Sequence, residues 1–150
     1  MYHRVVRSKL RRAFEALNAG DYDNVVAQFS ARHTHTMHGT HPLGGQRRTL
    51  ASTQAWYDRL RRLLPGLRFE VQSMAVSGWP WDTRALVSWR DFFTLPDGTP
   101  GSNQGVHELR LAWGRVVALE VHCDTGKLQG YCDRMRMLGV TEAAAAPIVD

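Results

Sequence analysis

The chain has 150 residues, 43% of them hydrophobic and 22% charged, with a formal net charge of +5. That length suits one domain with a substantial core, and the composition excludes both extensive disorder and the run of about 18 apolar residues that a membrane-spanning helix needs. The basic excess is arginine scattered as Arg11-Arg12, Arg47-Arg48 and Arg59/Arg61/Arg62, with only Lys9 and Lys127 as lysines, so solvated helix faces are expected rather than a nucleic-acid footprint.

Residues 3–18 place Val6, Leu10, Ala13, Phe14 and Leu17 at three- and four-residue spacing, which predicts an amphipathic helix that stops at Gly20. Asp21 offers a cap to a second, short helix in "YDNVVAQFS", where Val25, Val26 and Phe29 form the apolar stripe. "RHTHTMHGTHPLGG", residues 32–45, has no helical period and reads as a strand near 33–38 followed by a Gly/Pro loop. "TLASTQAWYDRLRRLL" predicts a third helix with Leu50, Trp56, Leu60, Leu63 and Leu64 as core candidates, ended by Pro65-Gly66.

From residue 67 the period changes to two. "LRFEVQSMAVSG", "TRALVSWRDFFTL", "SNQGVHELRLAW" and "RVVALEVHCD" predict four strands, with "LPDGTPG" and "WGR" as turns. "GKLQGYCDRMRMLG" predicts a short last helix, and residues 141–150, "TEAAAAPIVD", form a tail that need not be ordered. Helices followed by a mostly antiparallel run predict a single α+β domain over 1–150, its curved sheet wrapped around the helices. Cys123 and Cys132 lack a Cys-x-x-Cys spacing and read as reduced thiols. The opening "MYHRVVRSKLRR" lacks the apolar core of a secretory signal, so a cytoplasmic protein without a membrane partner is expected.

This order resembles the nuclear transport factor 2-like superfamily, and most closely its SnoaL-like polyketide cyclase branch. The matching pieces are "AFEALNAGDYDNVVAQFS", "HGTHPLGGQRRTLASTQAWYDRL", and "NQGVHELRLAWGRVVALEVHCD" followed by "KLQGYCDRMRMLG". The resemblance covers roughly residues 5–139. It implies a cone-shaped half-barrel in which three N-terminal helices fill a curved sheet and a short C-terminal helix follows. It also implies a pocket at the wide end of the cone and, by analogy, a homodimer. Ketosteroid isomerase, limonene epoxide hydrolase and scytalone dehydratase share this superfamily, as do binding and assembly modules, so fold alone does not fix function.

Four groups of residues could carry chemistry. His33, His35, His38 and His41 could ligate a metal, although no carboxylate accompanies them in the same stretch. Alternation puts His35 and Met37 on one strand face, and as pocket lining His35 is preferred. On the last strand Glu120, His122 and Asp124 share one face, and Val117, Leu119, Val121 and Cys123 the other. Such a carboxylate-imidazole stripe suits proton transfer, and equally an exposed strand face. His107 alternates with Leu109 and Leu111 and therefore lies on the apolar face. Trp89 and Asp91 share a face with Val87 and Phe93, where a carboxylate is costly unless it is paired or at a cavity mouth.

Limonene epoxide hydrolase activates water with an Arg and two Asp, but here Arg90 and Asp91 are adjacent and point to opposite faces. Ketosteroid isomerase uses an Asp base with a Tyr and a protonated Asp as oxyanion donors, and only Tyr57 suggests itself as the phenol. Trp56, Trp79, Trp81, Trp89 and Trp113 could wall an apolar ligand or pack a core and dimer interface.

The resulting expectation is a small-molecule pocket protein that performs cofactor-free acid-base chemistry, such as isomerisation, cyclisation or dehydration, on an apolar carbonyl compound. His107, His122 and Asp124 are the catalytic candidates. His35, Trp56, Tyr57, Trp89, Asp91 and Glu120 are the ligand-binding ones. The competing readings are a non-catalytic ligand-binding or dimerisation module, and a metal protein built on His33–His41.

Overall fold

Four of the residues on the first helical stripe, Val6, Leu10, Phe14 and Leu17, are buried in α1 (Tyr2–Asn18), and each such side chain contributes about 1.5–3 kcal/mol on leaving water. The computed structural model describes residues 1–150. After α1 come α2 (Tyr22–Val26), β1 (Phe29–Met37), β2 (Gly45–Arg47), α3 (Leu50–Leu63), β3 (Arg68–Trp79), β4 (Asp82–Thr94), β5 (Pro100–Ala112), β6 (Arg115–Cys123), α4 (Thr125–Met137) and a 3₁₀ turn at Thr141–Ala144. Asp21 caps α2 by accepting from the Asn24 amide, and Thr49 and Ser52 form a reciprocal capping box on α3.

One curved sheet holds all six strands in the order β2-β1-β6-β5-β4-β3. Every neighbouring pair is antiparallel except β1 with β6, which run parallel. The helices lie against the inner face, and alternate residues of β4 and β5 point into it, including Ala85, Val87, Trp89, Asp91 and Phe93 on β4. This is the α+β cone the sequence order predicts.

Several details differ from the sequence expectation. The second helix ends at Val26, because Phe29 and Ser30 already belong to β1. Leu50 is not core: it is the first residue of α3 and 39% exposed. β6 does not keep one phase, since Arg110 faces Ala118 while Leu111 faces Val116, leaving Val117 as the extra residue of a bulge. Val116 is therefore buried and Val117 only partly so.

Residues 145–150 lie back across the domain rather than projecting from it. Arg59 Nη1 donates to Ala146 O at 2.8 Å and Arg47 Nη1 to Ile148 O at 2.7 Å. The Asp150 carboxylate accepts from the Arg48 amide and the Thr49 hydroxyl.

Candidate active site

Between the inner face of the sheet and helices α1, α3 and α4 lies a cavity of about 40 Å³. Its wall is apolar except for Tyr57, Asp91, Asn103 and His107, with Cys123 at its side. A second void of about 50 Å³ adjoins the same Leu17, Tyr57 and His107 from the side of α1 and α2. The largest recess, about 780 Å³, is an open groove on the outer sheet face among Thr36, Arg84, Glu108, Arg110 and Glu120. An enclosed apolar volume with a few convergent polar groups is the better chemical site, so the inner cavity is the candidate.

His107 stands opposite Val87 in the β4–β5 ladder. Its Nδ1 accepts the Trp89 indole N–H at 2.8 Å, so the neutral ring carries its proton on Nε2. Burial, with the His122 charge adding to it, pushes the imidazole down to about 3. Across neutral pH His107 is therefore an uncharged hydrogen-bond donor rather than a base. Phe14, Phe69 and Trp89 pack against its ring with centroids 5.2, 6.0 and 5.6 Å away.

Asp91 faces Asn103 across the same ladder. Its Oδ1 is buried and has no hydrogen-bond partner. Burial pushes the carboxyl up to about 6, against the opposing pull of the Asn103 amide and the Lys127 charge. Such a group can take a proton near neutral pH and release it again. Burial also raises the Tyr57 phenol and holds the Cys123 thiol at about 11, with the Asp91 and Asp124 charges adding to the latter, so both stay protonated. α4 closes this end: Lys127 Nζ reaches Ser102 Oγ at 3.2 Å, and Tyr131 stands edge-on to Phe93.

The sequence candidates divide cleanly. His107, Trp56, Tyr57, Trp89 and Asp91 lie on the cavity wall. His122 and Glu120 do not, because their strand phase points them to the outer face, where His122 Nε2 donates to Glu108 Oε2 at 3.1 Å. Asp124 is not on the inner cavity wall: its carboxylate caps α4 by accepting the Lys127 amide at 3.0 Å. His35 is fully buried but behind the wall, packed on Trp56 and accepting from Arg47 Nε at 3.1 Å. Burial, then the Arg47 charge, holds it well below the ordinary imidazole range.

The His33–His41 metal site does not form. His33 donates to Ser30 O and shares a hydrogen bond with Thr53, while His41 donates to His38 O and accepts the Leu43 amide. Only His38 keeps outward-facing donors, beside Glu120 and His122. Asn103 was missed, although it stands two and four residues before Gly105 and His107 and so shares their face. Trp79, Trp81 and Trp113 are exposed in the turns at the far end of the sheet, away from the cavity.

The SnoaL-like domain family matches residues 10–119 of the chain. No curated protein matches it in sequence. Among solved structures, a nuclear transport factor 2-like protein of unknown function from Burkholderia pseudomallei K96243 superposes with a TM-score of 0.75 at 22% identity, covering 83% of this chain and 95% of that one. TerC, co-crystallised with polyporic acid, superposes with a TM-score of 0.69 at 16% identity over 79% and 91% of the two chains. A polyketide cyclase candidate from Xanthomonas campestris pv. campestris gives 0.59 at 15% identity over 79% and 90%. These likenesses establish the fold, no helix is long and apolar enough to cross a membrane, and the chain belongs to the SnoaL-like domain family.

Proposed function

We propose that the protein binds a small, largely apolar carbonyl compound in the inner cavity and moves a proton on it without a cofactor. The observation that carries this reading is that one largely apolar cavity is lined both by Asp91, whose buried Oδ1 has no partner, and by His107, whose ring proton is held on Nε2. Asp91 takes the proton from the carbon next to the carbonyl, and the two electrons of that C–H bond pass into an enolate. The Nε2–H of His107 donates to the enolate oxygen as its charge develops, and Asp91 returns the proton to the same carbon or, where a further double bond makes the intermediate a dienolate, to its far carbon as that double bond shifts. A donor that stays neutral is suited to this because it does not surrender its own proton to the enolate.

At about 40 Å³ the cavity has room for about one water molecule. Substrate therefore enters by displacing Leu128 and the start of α4, which is tied to β5 by Lys127 Nζ donating to Ser102 Oγ, by the Ser102 amide donating to the Tyr131 hydroxyl and by Asn103 Nδ2 donating to Asp124 O. Trp56, Phe69 and Trp89 give flat apolar contact on either side. That a relative of this fold was crystallised with polyporic acid is in keeping with an aromatic carbonyl ligand.

The test follows binding of polyporic acid and a panel of cyclic ketones by thermal shift and, for the ketones, exchange of the proton on the carbon next to the carbonyl by NMR in D₂O. Wild-type protein is expected to bind at least one compound and catalyse exchange. D91N should bind it and lose exchange by about 10²-fold or more. Exchange that persists in D91N overturns the assignment of the base. Binding without exchange in the wild type makes the protein a ligand carrier instead.

A further inference from the structure

We propose that His38, Glu120 and His122, with Glu108 beside them, form a binding site for a divalent transition metal, of which Zn²⁺ is the type, on the outer face of the sheet. The site is independent of the inner cavity and of the proton-transfer reading.

Three segments build it. His38 follows directly on β1, Glu120 and His122 alternate on β6, and Glu108 stands on β5. Thr36 is paired with Glu120 across β1–β6, and Glu108 directly faces Glu120 across β5–β6. His38 Nε2 donates to Glu120 Oε1, and His122 Nε2 lies 4.0 Å from Glu120 Oε2 and 3.1 Å from Glu108 Oε2. The two imidazoles stack with centroids 5.3 Å apart and planes 27° from parallel. One ligand atom each from His38, Glu120 and His122 fall within 4.8 Å of one another. Metal–ligand bonds of about 2.0–2.2 Å in a tetrahedron set ligand atoms about 3.4 Å apart, so small side-chain rotations would close these atoms onto one ion.

Charge points the same way. Two carboxylates facing each other across a ladder repel, and neither Glu108 nor Glu120 has a lysine or arginine within ion-pair distance: their partners are the two imidazoles. Of the two arginines in that groove, Arg110 is committed to Asp82 at 2.8 Å and Arg84 makes no ion pair. Two nitrogens and two carboxylates suit zinc, and also nickel or copper, whereas calcium and magnesium select all-oxygen sites. A metal here takes the place of the protons that Nε2 of each ring now shares with the carboxylates. The outward position leaves room for water or a partner's side chain to complete the shell.

Isothermal titration of chelator-treated protein with Zn²⁺ alone should show one ion per chain, and titration with Mg²⁺ none. H38A and H122A, both at the surface, are each expected to weaken Zn²⁺ by about tenfold or more, with circular dichroism unchanged. H3A, at another exposed histidine, should leave affinity as in the wild type. Co²⁺ substitution gives a second readout, visible absorption from an ordered low-coordinate ion in the wild type that H122A abolishes. Zn²⁺ binding that H38A and H122A do not alter, or the absence of binding in the wild type, overturns the proposal.

Discussion

Trp89 and His107, on adjacent strands, are joined by a single hydrogen bond from the indole N–H to Nδ1, 2.8 Å long, and that bond decides which imidazole nitrogen is left to donate. A histidine on an apolar strand face commonly suggests a base. Here the side chain beside it takes up the basic nitrogen and leaves the ring a fixed N–H, and in the proposed reaction the basic role falls to Asp91.

W89F removes that donor and leaves a buried imidazole acceptor unpaired in an enlarged cavity. We expect a loss of about 2–4 kcal/mol in urea unfolding. Nitrogen-15 NMR should show the His107 ring as one Nε2–H tautomer in the wild type and a mixture of tautomers in W89F. A single unchanged tautomer in W89F would mean that other contacts orient the ring.

The pH dependence of stability pits the two groups against each other. His107 has a folded value of about 3 against an ordinary 6.5, so the unfolded chain takes its proton first and stability falls as pH drops from 6.5 towards 3. Asp91 has a folded value of about 6 against 3.8, so the folded chain takes its proton first, and stability falls as pH rises from 3.8 to 6. Each slope is about 1.4 kcal/mol per pH unit, and they oppose each other where they overlap. D91N removes only the second. It should be about 2–3 kcal/mol more stable than wild type at pH 8, match it near pH 3.5, and lose stability more steeply between pH 6 and 4. Equal slopes in the two proteins would show that Asp91 is not buried as a proton-holding carboxyl.

Two glycines should respond in opposite directions to alanine. At Gly105 a Cβ would lie 2.1 Å from His122 O and 2.8 Å from the Trp89 ring, so G105A forces the indole or the ladder aside and is expected to cost about 3 kcal/mol or more. At Gly130, inside α4, a Cβ meets nothing within 4 Å, and G130A should add about 0.5–1 kcal/mol. Melting temperatures of the two variants check both signs.

Arg47 is fully buried without a carboxylate partner; it donates instead to Gly44 O, Gly45 O, Ile148 O and His35 Nδ1 and lies over Trp56. R47M leaves three carbonyls short of a donor and should cost about 3–5 kcal/mol. Removal of residues 147–150 deletes one of those carbonyls and the Asp150 contacts to Arg48 and Thr49, and should cost about 1–2 kcal/mol and speed hydrogen exchange at the start of α3. Unchanged exchange there would show that the tail contributes nothing to the helix cap.

Helical and strand periods made most of the elements readable from sequence, because each has one face in the core: α1, α3, β4 and β5 run within a residue or two of their predicted spans. Alternation likewise placed Trp89, Asp91 and His107 inward. On β6 it separated Leu119 and Val121 from Glu120 and His122, as observed, but it missed the bulge at Val117 and left open which of the two faces lines the pocket. The cap role of Asp124 was not legible, because a strand-ending carboxylate and a helix cap look alike in one letter. β2 is three residues long and was invisible to any period. The partner of His38 is a glutamate 82 positions away, a distance over which no spacing rule operates.

The one parallel pairing in the sheet joins Phe29 to Val116 and Met37 to Val121. During synthesis β1 therefore leaves the ribosome long before β6 exists to receive it, and its inward histidines and Met37 have only the short β2 hairpin for company. Contacts of such long sequence separation are slow to form, because the intervening loop must close first. The N-terminal helices and β1 then form an incomplete half with an open strand edge, so chaperone dependence and the yield of soluble protein should be governed by how fast the last strand arrives.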